Sequence, residues 1–184
     1  MATQSSDDEE ADPGAFMWIE GDSLAPPCQS DRDVVAKIVE IACLTCDDVL
    51  FDLGCGDGRI CIEAAKRFGA RARGVEIEEF LIERFRRLVA VKDLQQLVSV
   101  SHGDLLEEDL SDATVIVTYL LPEALEQLSA KLIKLLNQPD KNVRIICNTW
   151  GIRDLTPDER HDTGPYGNVP LFVYRSSSRE SKES

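Results

Sequence analysis

No apolar run in this chain approaches the roughly 20 residues that a helix needs to cross a bilayer, so a membrane span is not expected. The first 22 residues contain no Lys or Arg but seven acids (Asp7, Asp8, Glu9, Glu10, Asp12, Glu20 and Asp22). That is the reverse of the Arg-rich, acid-poor start of a mitochondrial presequence. No second cysteine pair follows the Cys43–Cys46 C-x-x-C at a spacing that suits zinc, and no metal site is read. The cysteines at 28, 43, 46, 55, 61 and 147 therefore read as reduced, mostly buried thiols. With no secretory signal they point to a reducing compartment, the cytosol or nucleus. Basic residues are scarce: 20 Lys and Arg face 34 acids, for a net charge of −14. Leaving out the first 22 residues still leaves 27 acids against 20 bases. Nucleic-acid backbones are poor partners for such a surface, and a basic partner such as a lysine-bearing protein suits it better.

What the chain does have is a single organising stretch, residues 49 to 59. Val49, Leu50 and Phe51 form an apolar run that ends in Asp52, glycines follow at 54, 56 and 58, and a helical pattern begins at once. This is the pattern of a buried parallel strand turning sharply into a helix. Open α/β sheets bind small molecules at such carboxyl ends. A dinucleotide fingerprint would place its third glycine where Arg59 stands; here it comes one residue early, at Gly58.

At 184 residues the chain is long enough for one domain with a proper core. Residues 1 to 14 are acidic and poor in apolar groups and read as a disordered tail. Residues 15 to 29 carry the apolar patch Phe16-Met17-Trp18-Ile19, either an edge-packing segment or a lid over the ligand. Ser30 is expected to cap a helix whose apolar positions are Val34, Val35, Ile38, Ile41 and Ala42. Strands are expected at 49–53, 72–77, 97–101, 113–118, 143–149 and 171–174. Helices are expected from about Asp57 to Gly69, from Glu79 to about Lys92, and from Pro122 to about Asn137. The second of these should bury Leu81, Phe85, Leu88 and Val89. Residues 151 to 168 read as loop, and 176 to 184 as a second disordered tail. The alternation gives an α/β fold over residues 30 to 175: a doubly wound, mostly parallel Rossmann-like sheet with helices on both faces, its last strand antiparallel at the edge.

Asp52, Asp57, Glu76 and Asp104 all fall at strand ends or in the glycine turn, so their carboxylates should converge on one crevice. Carboxylates repel a pyrophosphate and favour a ligand with positive charge and a diol. S-adenosylmethionine offers a sulfonium, an ammonium and a ribose. The spacing of Asp52, Gly54, Gly56 and Gly58, with Glu76 eighteen residues after Gly58, resembles the cofactor motif of class I (Rossmann-like) methyltransferases. That resemblance implies S-adenosyl-L-methionine as cofactor. Asp52 would lie near its ammonium, Gly54 and Gly56 along the methionine part, and Glu76 on the ribose hydroxyls. Ile77 would lie on the adenine face, Asp104 and Leu105 at the adenine amino group, and Thr118 beside the site.

After the fourth strand comes Thr118-Tyr119-Leu120-Leu121-Pro122. Methyltransferases of adenine and of glutamine amides carry an Asn/Asp-Pro-Pro-aromatic stretch there, and catechol-type enzymes carry an acid for magnesium; neither is present. Tyr119 and Trp150 close neighbouring strands, with Tyr166 in the loop beyond, and their aromatic faces suit a lysine ammonium. They either wall the acceptor site or simply close the core. The stretch from Asp52 to Ile60, with Glu63-Ala-Ala-Lys66 and the turn at 119–122, is similar to small protein-lysine methyltransferases related to those of the mitochondrial adenine nucleotide translocase and ATP-synthase c subunit. The similarity spans about residues 30 to 150. Those relatives carry an apolar targeting segment where this chain has an acidic one, so their substrates are not carried over. The expectation is therefore methyl transfer to a protein lysine. A small-molecule acceptor, or a non-catalytic cofactor-binding subunit, are the alternatives. His102 and His161 read as structural rather than catalytic.

Overall fold

A computed structural model describes residues 29–176; the Phe16–Ile19 patch and both outer tails lie outside these described residues. In chain order the elements are α1 (Arg32–Ile41), β1 (Val49–Leu53), α2 (Arg59–Phe68), β2 (Arg71–Glu76), α3 (Glu79–Val91), β3 (Val98–His102), β4 (Val115–Thr118), α4 (Pro122–Leu136), β5 (Arg144–Asn148), β6 (Glu159–Thr163) and β7 (Val169–Arg175). They form one seven-stranded sheet in the order β3-β2-β1-β4-β5-β7-β6. β1 to β5 are mutually parallel, and β7 runs antiparallel to β5.

The chain moves outward from β1 to β3, then returns to place β4 on the other side of β1. This reversal opens a crevice at the carboxyl ends of β1 and β4, the place where doubly wound sheets take ligands. β1 is buried almost throughout because it is central, and its alternate residues serve opposite faces. Leu50 packs with Ile38, Ala64 and Phe85 under α1, α2 and α3, whereas Phe51 and Leu53 pack with Leu125, Leu128 and Leu132 of α4.

Local signals explain most boundaries. Gly69 ends α2 at φ 66°, and Pro122 opens α4, where its missing N–H costs nothing. α2 starts two residues later than expected because the Gly58 N–H first closes a turn onto the Cys55 carbonyl at 2.9 Å. Ser30 does not cap α1: Asp31 holds that position, and the Ser30 hydroxyl accepts instead from Asn148 Nδ2 at 3.1 Å. In α3 the core residue is Ile82, while Leu81 is only half-buried.

The largest difference from expectation lies within 151–168. Glu159–Thr163, read as loop, is strand β6 and forms the outermost edge beyond β7. Its sequence Glu-Arg-His-Asp-Thr shows no apolar alternation, so only pairing with β7 makes it a strand. Its charges are paired close by, Arg160 with Asp162 and Arg175 with Glu159, and such an edge resists further strand addition. Ser176, which begins the stretch read as a tail, is buried, with its hydroxyl donating to the Lys141 carbonyl at 2.9 Å. Among the described residues no helix is long and apolar enough to cross a membrane.

Candidate active site

The glycine turn is fixed over the end of β2. Gly54 and Cys55 both donate to the Val75 carbonyl, at 2.9 and 3.1 Å. The chain then passes through positive φ at Gly54 (78°), Gly56 (57°) and Gly58 (78°). Two glycines are needed for packing as well: a Cβ at Gly58 would lie 2.1 Å from the buried Phe85 ring, and one at Gly74 would lie 2.4 Å from Cys55 Sγ. Gly56 differs, because a Cβ there would meet nothing within 4 Å. Its backbone faces open space, where a ligand can approach it.

The carboxylates divide by their partners. Glu76 is buried and held by three backbone donors: Gly56 N–H at 2.8 Å to Oε2, and Ile77 and Glu78 N–H at 2.9 and 3.1 Å to Oε1. It is thereby fixed at the turn, with lone pairs left over for a diol. Asp57 turns away from this task, because Arg59 holds it through two bonds at 3.0 and 2.8 Å and Arg84 stands 3.8 Å off. Asp52 is only 3% exposed, and no cation among the described residues stands beside it. Burial first, then the charges of Glu76 and Asp57, push its carboxyl up to about 8. A buried carboxyl lacking a counter-ion, next to an open glycine backbone, fits a cofactor that brings its own ammonium.

Further along the crevice the expected adenine residues are exposed. Ile77 is 62% exposed beside α3. Asp104 is exposed, and its Oδ1 accepts the Leu106 N–H at 2.8 Å, which leaves Oδ2 free; Leu105 is buried next to it. Thr118, at the end of β4, is fully buried, and its hydroxyl finds no oxygen or nitrogen partner among the described residues. Its neighbour in register is Cys147. Burial pushes that thiol up to about 12, and it pushes Cys55 and Cys61 well above their ordinary range, so all three stay protonated and unreactive. Cys43 and Cys46, expected among the mostly buried thiols, are exposed. His102 stands 3.1 Å from Glu79, and His161 2.9 Å from Glu159. No group of three or more His, Cys, Asp or Glu side chains is placed to hold a metal ion among the described residues.

At the β4–β5 end of the crevice, Tyr119 and Trp150 stack with ring centroids 6.2 Å apart and planes 19° apart. Both are half-buried, and Trp150 also packs against the core on the α4 side of the sheet. Between β5 and Trp150 the chain makes a γ-turn: the Trp150 N–H donates to the Asn148 carbonyl at 2.8 Å, with Thr149 at φ 69°. The Tyr174 hydroxyl, from β7, accepts the Ile152 N–H at 2.9 Å and pins the loop behind Trp150.

Sequence reasoning missed a polar strap across the crevice. Arg59, bound to Asp57 of the glycine turn, also donates to the Ser30 carbonyl at 2.8 Å and to Gln29 Oε1. Ser30 in turn receives Asn148 from the end of β5. The chain just ahead of α1 thus joins the glycine turn to the aromatic end. The available signal was Asn148 itself, a polar residue closing an otherwise apolar strand.

Comparison with known proteins agrees with this geometry. The profile of the ANTKMT methyltransferase domain family matches residues 52–159. A protein-lysine N-methyltransferase of Saccharolobus islandicus is 36% identical over 135 residues, covering 73% of this chain and 82% of that protein. A ribosomal protein L11 methyltransferase of Thermoanaerobacter pseudethanolicus is 32% identical over 92 residues, 50% of this chain but only 30% of that protein. Among solved structures, an RNA methyltransferase of Salinibacter ruber bound to S-adenosyl-L-homocysteine superposes with a TM-score of 0.73. It is 32% identical and the match covers 80% of this chain and 93% of that one. Fold and site together define a class I methyltransferase that uses S-adenosyl-L-methionine. Within that class, the chain belongs to the ANTKMT methyltransferase domain family.

Proposed function

We propose that this enzyme moves the methyl group of S-adenosylmethionine to the ε-amine of a lysine in a protein. The stacked Tyr119–Trp150 pair, set at the acceptor end of a crevice otherwise lined by carboxylates, carries this reading. The Saccharolobus islandicus relative, itself a protein-lysine N-methyltransferase, supports it.

The cofactor supplies a methyl group already activated on a sulfonium, so the chain has to bind, align and exclude water. Asp52 opposes the ammonium, and Gly54 and Gly56 let the backbone close on the methionine part. Glu76, oriented by its three backbone donors, takes the ribose hydroxyls. Ile77 would cover the adenine face, the second oxygen of Asp104 would accept from the adenine amino group with Leu105 beside it, and Thr118 would lie beside the site. Tyr119 and Trp150 hold the accepting amine out of water, which favours its neutral, nucleophilic form. The nitrogen–carbon bond would form as the methyl's bond to the sulfonium sulfur breaks, leaving S-adenosylhomocysteine, and the ring faces would stabilise the positive charge that moves onto the nitrogen.

An RNA acceptor would match the Salinibacter ruber relative, but the acid excess of this chain opposes a phosphate backbone. The test is to incubate the pure enzyme with methyl-labelled cofactor and whole-cell extract, then digest with protease or ribonuclease. Label that protease releases, that ribonuclease leaves in place, and that acid hydrolysis yields as methyl-lysine is expected. Label sensitive to ribonuclease, or found only in small molecules, would overturn the lysine assignment.

A further inference from the structure

We propose that Tyr166 is a docking contact for the protein substrate, taking an apolar or proline side chain three or four residues from the accepting lysine. This rests on the lysine assignment above and adds the element that selects the sequence around that lysine.

Tyr166 is 88% exposed, more than any other large apolar side chain among the described residues. It stands at the tip of the β6–β7 hairpin in Gly164-Pro165-Tyr166-Gly167. The Gly167 N–H donates to the Gly164 carbonyl at 3.0 Å, Pro165 occupies the second turn position, and Tyr166 keeps negative φ, the arrangement of a type I turn. Positive φ at Gly164 (85°) and Gly167 (63°) returns the chain into the two strands. The ring is thus presented on a short, braced turn, and little backbone freedom is lost when a partner covers it. Aromatic side chains held this way are the usual anchors of protein contacts.

The register places the tip over the crevice. Asn148 pairs with Leu171, Thr163 pairs with Val169, and the Thr149 N–H donates to the Pro170 carbonyl at 2.8 Å. β7 is antiparallel to β5, so the hairpin projects past the carboxyl end of β5, on the side where Tyr119 and Trp150 stand. At about 4.8 Å between strands, the hairpin lies roughly 10–14 Å sideways from β4. An extended chain covers that span in about three to four residues at roughly 3.3 Å each. A lysine reaching down to the aromatic pair hangs from a backbone that rides above the crevice, level with the projecting tip. The neighbour that meets Tyr166 is then a residue three or four places away along an extended segment.

The test uses the full chain, labelled S-adenosylmethionine and a library of lysine-centred peptides varied at each flanking position, with whole-cell extract proteins in parallel. The parent enzyme is expected to favour apolar or proline residues at one or both of the positions three and four from the lysine. Tyr166→Ala should reduce that preference from about tenfold to under twofold by raising KM, with kcat changed less than twofold, and Tyr166→Phe should keep it. An unchanged preference in Tyr166→Ala, with lysine methylation intact in the parent, would overturn the docking role alone. Labelling of extract proteins but of no peptide would overturn the extended-segment geometry. Label entering RNA or small molecules instead would overturn the lysine assignment and this contact together.

Discussion

The two ends of the crevice both turn their chains through positive φ, but with residues of opposite character. At the cofactor end Gly54, Gly56 and Gly58 take positive φ, which glycine adopts without steric cost. At the acceptor end Thr149, a β-branched residue, is held at φ 69°. Such a conformation costs about 1–3 kcal/mol and persists only where surrounding contacts over-determine it. Three do so here: Thr149 N–H to Pro170, Trp150 N–H to Asn148, and the Thr149 hydroxyl to Asn148 Oδ1 at 3.0 Å. The glycine turn itself is relaxed and built from neighbours in sequence, though it is braced on Val75 and Glu76 of β2. The aromatic end is strained and assembled from β4, β5 and β7. A common cofactor can be held by a local motif, whereas a particular substrate needs groups brought together from a distance.

This contrast can be broken most sharply at the aromatic pair. Tyr119→Ala should lower methyl transfer by about a hundredfold or more, near 2.7 kcal/mol of barrier, while calorimetry shows cofactor affinity within about threefold of the parent. Trp150→Ala should do the same, but it also removes packing that stabilises by about 3–5 kcal/mol, so its melting curve must be read first. Parent-rate transfer by a folded Tyr119→Ala would place the amine elsewhere.

At the other end, Gly58→Ala drives a methyl group into Phe85 and strains φ 78°. A loss of about 2–4 kcal/mol in urea unfolding is expected. Glu76→Ala should weaken S-adenosylhomocysteine binding by about 1–3 kcal/mol, the scale of hydrogen bonds to a charged group. Affinity that did not change would remove Glu76 from the site.

Asp52 gives a pH signature. Its folded value of about 8 lies above the ordinary 3.8, so across that window the folded chain holds a proton that the unfolded chain has released. Stability of the ligand-free enzyme should therefore fall as pH rises from about 4 to 8. A cofactor ammonium favours the ionised carboxylate, so binding should release a proton and tighten up to about tenfold per pH unit below 8, then level off. Asp52→Asn should flatten both profiles. The smallest effect is expected at Thr149→Gly: strain relief, partly offset by a freer unfolded chain, should stabilise by about 1 kcal/mol and lower transfer a few-fold as Trp150 loosens.

How much was legible follows the same division. Residues 49 to 59 alone placed the strand, the turn and the helix, because glycine spacing and a buried apolar run act through neighbours in the chain. Glu76 and Asp104 were readable as strand ends because each ends or follows a short strand that alternates polar with apolar or small residues. Asp57 pairs with Arg59 only two residues on, but tertiary structure alone brought Arg84 of α3 to its other side, since a carboxylate's further partners depend on which cation folds beside it. It alone made Glu159–Thr163 a strand, as that charged stretch has no apolar face of its own and becomes extended only through the hydrogen bonds of β7. The stack of Tyr119 on Trp150 and the strap from Arg59 through Ser30 to Asn148 join residues 29 to 118 positions apart. Contacts of that range leave no periodic trace in the chain, and they exist only once the sheet order has been set.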